Sequence, residues 1–335
     1  MNKKLLTLAI PVLIAVFLLS CKKDSTTSTS TTTTTTTNGK WQNTGPNYNW
    51  INTIAINGNN IFAGTQDSGI YLSTNQGSTW KAVNTGLPSD GGNGKDGINA
   101  IAISGSNIFA GTSNNGMYLS TNNGTSWTAI NTGLANANFI KSLAISGTSI
   151  YAGTTGAGIY LSTDNGSKWS AAGLSQATVY AIAISGSNVF AGTDGGMELS
   201  AINSSSWKAI NNGISANNNG YAIAISGNYI FAGTDSGVYI STNNGSSWSL
   251  GNTGLTSYSS VGISSLAVNG NNIYAGPNDG NPNGVDGLFE STNDGSKWTA
   301  INNGFTFGAT EVFCIAFDNT NIYIATASGV FKQAL

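Results

Sequence analysis

Ser73-Thr74-Asn75-Gln76-Gly77-Ser78-Thr79-Trp80 is the stretch on which the fold turns, because it keeps returning. It recurs at residues 120–127, 162–169, 241–248 and 291–298, and in worn form at 200–207, where Ser204 stands in for the glycine. Each copy closes a longer unit of the type Ile-Ala-Ile-x-Gly-x-x-Ile-Phe-Ala-Gly-Thr, then Gly-Ile-Tyr-Leu-Ser-Thr-Asn. A unit that recurs every ~40–50 residues marks a repeat architecture.

Working outward, each unit holds four strand-like runs. In the first they are 51–56, 60–64, 69–73 and 80–83, short, rich in β-branched and aromatic residues, and bounded by Gly and Asn. Four-stranded units repeated radially make a β-propeller. The Ala-Gly-Thr landmark counts the blades: Ala63, Ala110, Ala152, Ala191 and Ala232, a variant at Ala275-Gly276-Pro277, and a weaker one at Ala325-Thr326-Ala327. The sequence therefore predicts an all-β, seven-bladed β-propeller over residues 41–335. The seventh unit stops at Leu335 after its third strand, while Trp41-Gln42-Asn43-Thr44-Gly45 is a shortened version of the run from Trp80 to Gly86. The N-terminal strand is expected to complete the last blade and close the ring, which removes the open sheet edges of an unclosed array.

In the eight-residue phrase, Asn or Asp at the third position can bond turn amides, Gly supplies the left-handed conformation, and Trp buries a large surface between sheets. The phrase resembles the Asp-box (BNR repeat) of sialidases, sortilin-type receptors, xyloglucanases and photosystem II assembly-factor propellers. The resemblance covers residues 41–335 and implies that the copies are structural. They comprise Asn75, Gly77 and Trp80; Asn122, Gly124 and Trp127; Asp164, Gly166 and Trp169; Trp207; Asn243, Gly245 and Trp248; and Asn293, Gly295 and Trp298.

Composition narrows the chemistry. The chain has 335 residues with 44 Gly, 8% charged residues, no His and no Arg, so its 12 basic residues are all Lys. A Ser-His-Asp triad, a His-ligated zinc site and an arginine clamp cannot be built from it. The arginine triad implied by the sialidase resemblance is excluded with them. A net charge of −2, with no basic cluster, argues against nucleic acid as partner. Cys314 lies in an apolar strand, Val312-Phe313-Cys314-Ile315-Ala316-Phe317, and reads as a small core residue.

The first residues describe an address. Lys3 and Lys4 precede a short apolar run, 5–19, and a small residue, Ser20, precedes Cys21. That is the form of a secretory signal peptide over 1–20. Leu18, Ser20 and Cys21 resemble a bacterial lipoprotein signal, which implies cleavage before Cys21 and lipid attachment on its sulfur. Lys22 after the cysteine implies sorting to the outer membrane, on its periplasmic or surface face. Residues 25–37 are only Ser and Thr and cannot bury apolar surface. Residues 21–40 thus read as a lipid-anchored flexible tether, with a reach on the order of 20–25 Å.

In such blades the second-to-third-strand loops and the loops between blades share one face, and the longest irregular segments fall there: 87–97, 256–262, 278–287 and 305–310. Tyr48, Trp50, Phe139, Tyr258, Phe305 and Phe307 map to the same face, with the carboxylates Asp90, Asp96 and Glu311. Loops on a rigid scaffold are where binding resides. Two readings follow: a non-catalytic, envelope-anchored binding or scaffold protein, expected to be monomeric, for a protein or glycan; or a glycan-acting hydrolase of the Asp-box class using paired carboxylates. No cofactor is required by the first. Residues 279–290 fit the calcium-loop pattern D-x-[DN]-x-[DN]-G-x5-E, with Asp279, Asn281, Asn283, the Val285 carbonyl and Glu290 as ligands and Gly284 at the turn. Glu290 stands where other units have Leu72, Leu119 and Leu161.

Overall fold

The computed structural model describes residues 39–46, 50–91, 94–135, 137–255, 262–277, 287–304 and 311–335. These form seven four-stranded antiparallel sheets, each a blade, and no helix. Blade 1 runs Ile51–Asn57, Asn60–Thr65, Ile70–Ser73 and Lys81–Ala82. The inner strands of blades 2 to 7 are Ile98–Ser104, Ile140–Ser146, Val179–Ser185, Gly220–Ser226, Ile263–Asn269 and Val312–Phe317. Each inner strand contacts the inner strands of both neighbouring blades, the last meeting the first, so the ring is closed. Gln42–Gly45 pairs with Gly329–Ala334 and supplies the outer strand of blade 7. The seven-bladed propeller and its N-terminal closure are as the repeats predict.

The core lies between sheets. One cluster joins Phe109 and Met117 of blade 2 to Leu143, Ile150 and Trp169 of blade 3; another joins Phe62 and Ile70 of blade 1 to Ile101, Ile108 and Trp127 of blade 2. The second strand of a blade is buried along nearly its whole length, which is why it reads as a continuous apolar run. The landmark glycine allows close approach of blades: a Cβ at Gly111 would fall 2.5 Å from Ile140 of the next inner strand. In blade 7 the register places Val312 opposite Thr326 as Ile51 is opposite Thr65, so the landmark there is Ile324-Ala325-Thr326. That corrects the sequence reading of Ala325-Thr326-Ala327 by one residue, because strand pairing and not residue identity sets the position.

The phrase acts as a staple. In five copies the serine hydroxyl donates to the Asn or Asp Oδ1 at 2.7–3.0 Å and accepts the glycine N–H at 2.8–3.0 Å. The left-handed conformation is shared, however. The residue before the glycine (Gln76, Asn123, Asn165, Asn244 or Asp294) has φ 56°. Each indole then reaches the preceding blade. The Nε1–H of Trp41, Trp80, Trp127, Trp169, Trp207, Trp248 and Trp298 donates to a backbone carbonyl there, at 2.6–2.8 Å. Trp80 of blade 1 bonds Thr44 in the N-terminal strand, and Trp41 bonds Ile301 of blade 6, so the closing blade is held like the rest. In the worn copy Ser200 Oγ donates instead to Ala201 O at 3.2 Å, yet Trp207 keeps its bond.

Candidate functional site

Every inner strand carries a bulge near its start. The register skips one residue between Ile51 and Thr53, Ile98 and Ala100, Ile140 and Ser142, Val179 and Ala181, Gly220 and Ala222, Ile263 and Ser265, and Val312 and Cys314. A bulge leaves its extra residue unpaired and re-aims the side chain. The seven released residues are Asn52, Asn99, Lys141, Tyr180, Tyr221, Ser264 and Phe313. They ring the end of the inner strands on the face expected to bind.

The ring has two polar sectors and two aromatic ones. Asn52 Nδ2 donates to Ile98 O at 3.2 Å, and Asn99 Nδ2 to Ile140 O at 3.0 Å and Ser113 Oγ at 3.2 Å. Ser264 Oγ donates to Val312 O at 3.0 Å. Across blades 3 to 5, Lys141 Nζ lies 5.8 Å from the ring centres of both Phe139 and Tyr180. Tyr180 meets Tyr221 edge-on at 5.0 Å. The Tyr221 hydroxyl donates to Asp235 Oδ1 at 2.8 Å and accepts from Asn219 Nδ2 at 2.9 Å. Desolvation lowers the pKa of Lys141. Desolvation raises those of Tyr180 and Tyr221, and nearby carboxylates raise them further, so both phenols stay protonated at neutral pH.

Trp50 and Phe313 form the second aromatic sector. Their rings stack at 5.5 Å and 16°. Trp50 is 45% exposed and has φ 67°, a strained conformation for a bulky residue. Both its backbone groups are held: its N–H donates to Ala327 O and its carbonyl accepts from Gln66 N–H, each at 3.0 Å. The fold therefore presents this indole outward instead of tucking it away.

Trp50, Phe139 and Glu311 occupy one register position, the residue before the inner strand, in blades 1, 3 and 7. The structure joins Trp50 and Phe139 to bulge residues the sequence reading passed over: Phe313, Lys141, Tyr180 and Tyr221. Their signal was variability, since the following Ile-Ala-Ile positions repeat while this one changes chemistry from unit to unit. Asp90 is exposed, in the loop between blades 1 and 2. Asp96, expected among the carboxylates of the binding face, is buried. It accepts from Asn114 N–H at 3.1 Å, Asn114 Nδ2 at 2.8 Å and Asn115 Nδ2 at 2.8 Å, and so fastens that loop to blade 2. Cys314 is half-buried and bonded to blade 1, accepting from Ile54 N–H at 3.4 Å.

Tyr48, Tyr258, Phe305 and Phe307 lie outside the described residues, as do Cys21 and the calcium-loop positions Asp279, Asn281, Asn283 and Val285. Glu290 is described, and it has a structural partner. Its Oε1 accepts from Asn272 Nδ2 at 2.9 Å and the Tyr274 hydroxyl at 2.7 Å. Glu290 faces Tyr274 as Leu72 faces Phe62. Blades 3 and 7 also carry a tyrosine there, but Tyr151 accepts from Asn203 N–H and Tyr323 donates to Asp318, so only in blade 6 does the facing residue answer the hydroxyl. Burial, then this bond, pushes the Tyr274 pKa up to about 12.

No family model and no curated protein sequence matches the chain. Solved structures do. YCF48 bound to D1 peptide aligns with a TM-score of 0.68 at 15% identity, over 88% of this chain and 94% of that one. The BT4673 extracellular domain of a two-component system from B. thetaiotaomicron aligns with a TM-score of 0.68 at 15% identity, over 88% of this chain. This chain spans only 39% of that one. An ancestral GH74 enzyme gives 0.66 at 20% identity, over 87% of this chain and 45% of that one. What they share with this chain is the propeller fold. The chain is a β-propeller. Its chemistry has to be read from its own rim, which offers π faces, phenolic donors and one ammonium on a fixed frame.

Proposed function

We propose that this propeller is a non-catalytic binding protein that takes a protein partner on the bulge rim. In this reading a lipid on Cys21 tethers it to a bacterial envelope, and the repeated phrase is a structural Asp-box. The observation that carries the reading is the rim itself: Trp50 stacked on Phe313, and Lys141 set between Phe139 and Tyr180. Aromatic side chains on a rigid frame supply the anchors from which protein interfaces draw most of their affinity. Peptide binding by YCF48, another propeller, supports a protein over other partners. Asp96, already fastened to Asn114 and Asn115, fits a loop staple better than one member of a hydrolytic pair.

The test is capture from envelope extracts with the full chain. A specific partner retained by wild type and lost with Trp50→Ala or Tyr180→Ala supports the rim. Retention by both variants rejects it. Polysaccharide turnover abolished by Glu311→Gln would replace this reading with the hydrolase. Intact mass of the mature protein checks the anchor, with an acylated Cys21 N-terminus expected.

A further inference from the structure

The interface between blades 3 and 4 departs from its sisters. Elsewhere the phrase glycine presses on the preceding blade: a Cβ on Gly124 would lie 3.5 Å from Val83, one on Gly166 2.7 Å from Ile130, and one on Gly245 2.5 Å from Ile210. At the 3–4 interface the glycine is Ser204, and Ala172 holds the place of Val83, Ile130 and Ile210. At the 5–6 interface that place is Gly251, but there the phrase glycine is kept and Ile240 presses on it instead, a Cβ on Gly295 falling 2.8 Å from Ile240. The blade 4 hairpin is tied to the second strand of blade 3 instead, with Asn203 N–H donating to the Tyr151 hydroxyl at 2.6 Å and Ser149 Oγ donating to Asn203 Oδ1 at 2.8 Å. A cavity of about 260 Å³ is left between two neighbouring hairpins, on the face opposite the rim.

A second departure lies in the phrase beside it. Asp164 is the acid among Asn75, Asn122, Asn243 and Asn293. In three of those the amide donates to a hydroxyl four residues on: Asn75 to Thr79 at 2.9 Å, Asn122 to Ser126 at 2.9 Å, and Asn243 to Ser247 at 2.8 Å. Asp164 has no such donor, and Lys168 replaces the hydroxyl. Ser162 Oγ and Lys168 N–H both bond Oδ1, at 2.7 and 3.0 Å, which leaves Oδ2 able to accept from a ligand.

We propose that this cavity binds one neutral sugar ring, whose vicinal hydroxyls donate to Asp164 and accept from Lys168, Ser204 and Ser205. Charge selects the class. An anion would meet Asp164 and a cation Lys168, whereas a neutral polyol uses both. Size selects one ring, because the volume is below the ~300–1,000 Å³ of sites for drug-sized ligands. Leu161 and Ala172 offer the apolar wall that the C–H face of a sugar needs.

The test is titration calorimetry with saturation-transfer NMR on the full chain, using the methyl glycosides of glucose, mannose and galactose. At least one binds wild type saturably. Ala172→Ile, which places there the side chain that Ile130 and Ile210 give their interfaces, abolishes that binding. Asp164→Asn, which restores the residue of the sister phrases and so keeps the hairpin folded, weakens it on the order of tenfold. Trp50→Ala leaves it unchanged, which separates this site from the rim. The proposal falls if none of the three glycosides binds at millimolar concentration, if binding survives Asp164→Asn at full strength, or if glycine, a zwitterion, competes with the sugar.

Discussion

The phrase hairpins and the bulge rim sit on opposite faces of the same seven blades, and they use repetition in opposite ways. Six hairpin tryptophans, and Trp41 of the closing strand, make one and the same bond to the preceding blade. At the rim, seven bulges of one geometry carry Asn, Asn, Lys, Tyr, Tyr, Ser and Phe. The backbone geometry of the hairpin depends on its side chains, whereas the bulge holds its shape whichever side chain it releases. One face is therefore built to be uniform and the other is free to acquire chemistry.

That contrast is most exposed at an indole. Trp169 is 2% exposed between blades 2 and 3, so Trp169→Ala should cost about 3–5 kcal/mol, read as a lowered midpoint in denaturant unfolding. A loss below about 1 kcal/mol would break the idea that these staples hold the ring. The groove that receives the indole segment comes next. Gly133 has φ 93°, and a Cβ there would collide with the Trp169 carbonyl. Gly133→Ala should destabilise by roughly 1–3 kcal/mol in the same assay.

Blade 6 sharpens the comparison, because there the repeat swaps an apolar pair for a polar one. Tyr274→Phe should cost about 1–3 kcal/mol by leaving Glu290 short of a donor, while the double variant with Glu290→Leu, which recreates the Phe62–Leu72 pair, should be near neutral. The Tyr274 pKa is raised to about 12, so its folded state favours the protonated phenol. That contribution is present below about pH 10 and is lost as pH rises through about 12. The double variant should lose less stability across this window in an alkaline titration.

In the same blade, calcium at the loop of residues 279–290 is expected to add about 0.4–1.4 kcal/mol at 1 mM metal, if affinity matches extracellular modules at ~0.1–1 mM. Thermal melting with calcium or chelator reads this, and Asp279→Ala should remove the difference. The smallest effect on stability belongs to the rim. Lys141→Ala and Tyr180→Ala should stay within about 0.5 kcal/mol of wild type while partner capture is lost. A large destabilisation by either would mean that the rim serves the fold after all.

Residues 51–86 alone held most of the fold: four strand-like runs, a landmark, and a phrase whose Trp had to be buried somewhere. Counting copies gave seven blades, and the stray Trp41 at the near end gave the closure, because local hydrophobic pattern and turn residues are carried within each unit. The rim was only half legible. Trp50 and Phe139 stood out as aromatics beside loops, but Phe313, Lys141, Tyr180 and Tyr221 hid inside runs that read as ordinary strand, since a bulge is a property of pairing between two strands and not of either one. The fate of the carboxylates was equally beyond one-dimensional reading. Asp96 looked like a loop acid until Asn114 and Asn115 closed on it, and Glu290, expected as a calcium ligand, also takes bonds from Tyr274 and Asn272 that the sequence did not foretell. The sequence by itself determined the repeating unit and its number, because those depend on contacts repeated at short range. Which side chains gather at the rim, and which cavity opens between blades 3 and 4, only the closed ring decided, because those contacts join residues brought together by the packing of separate blades.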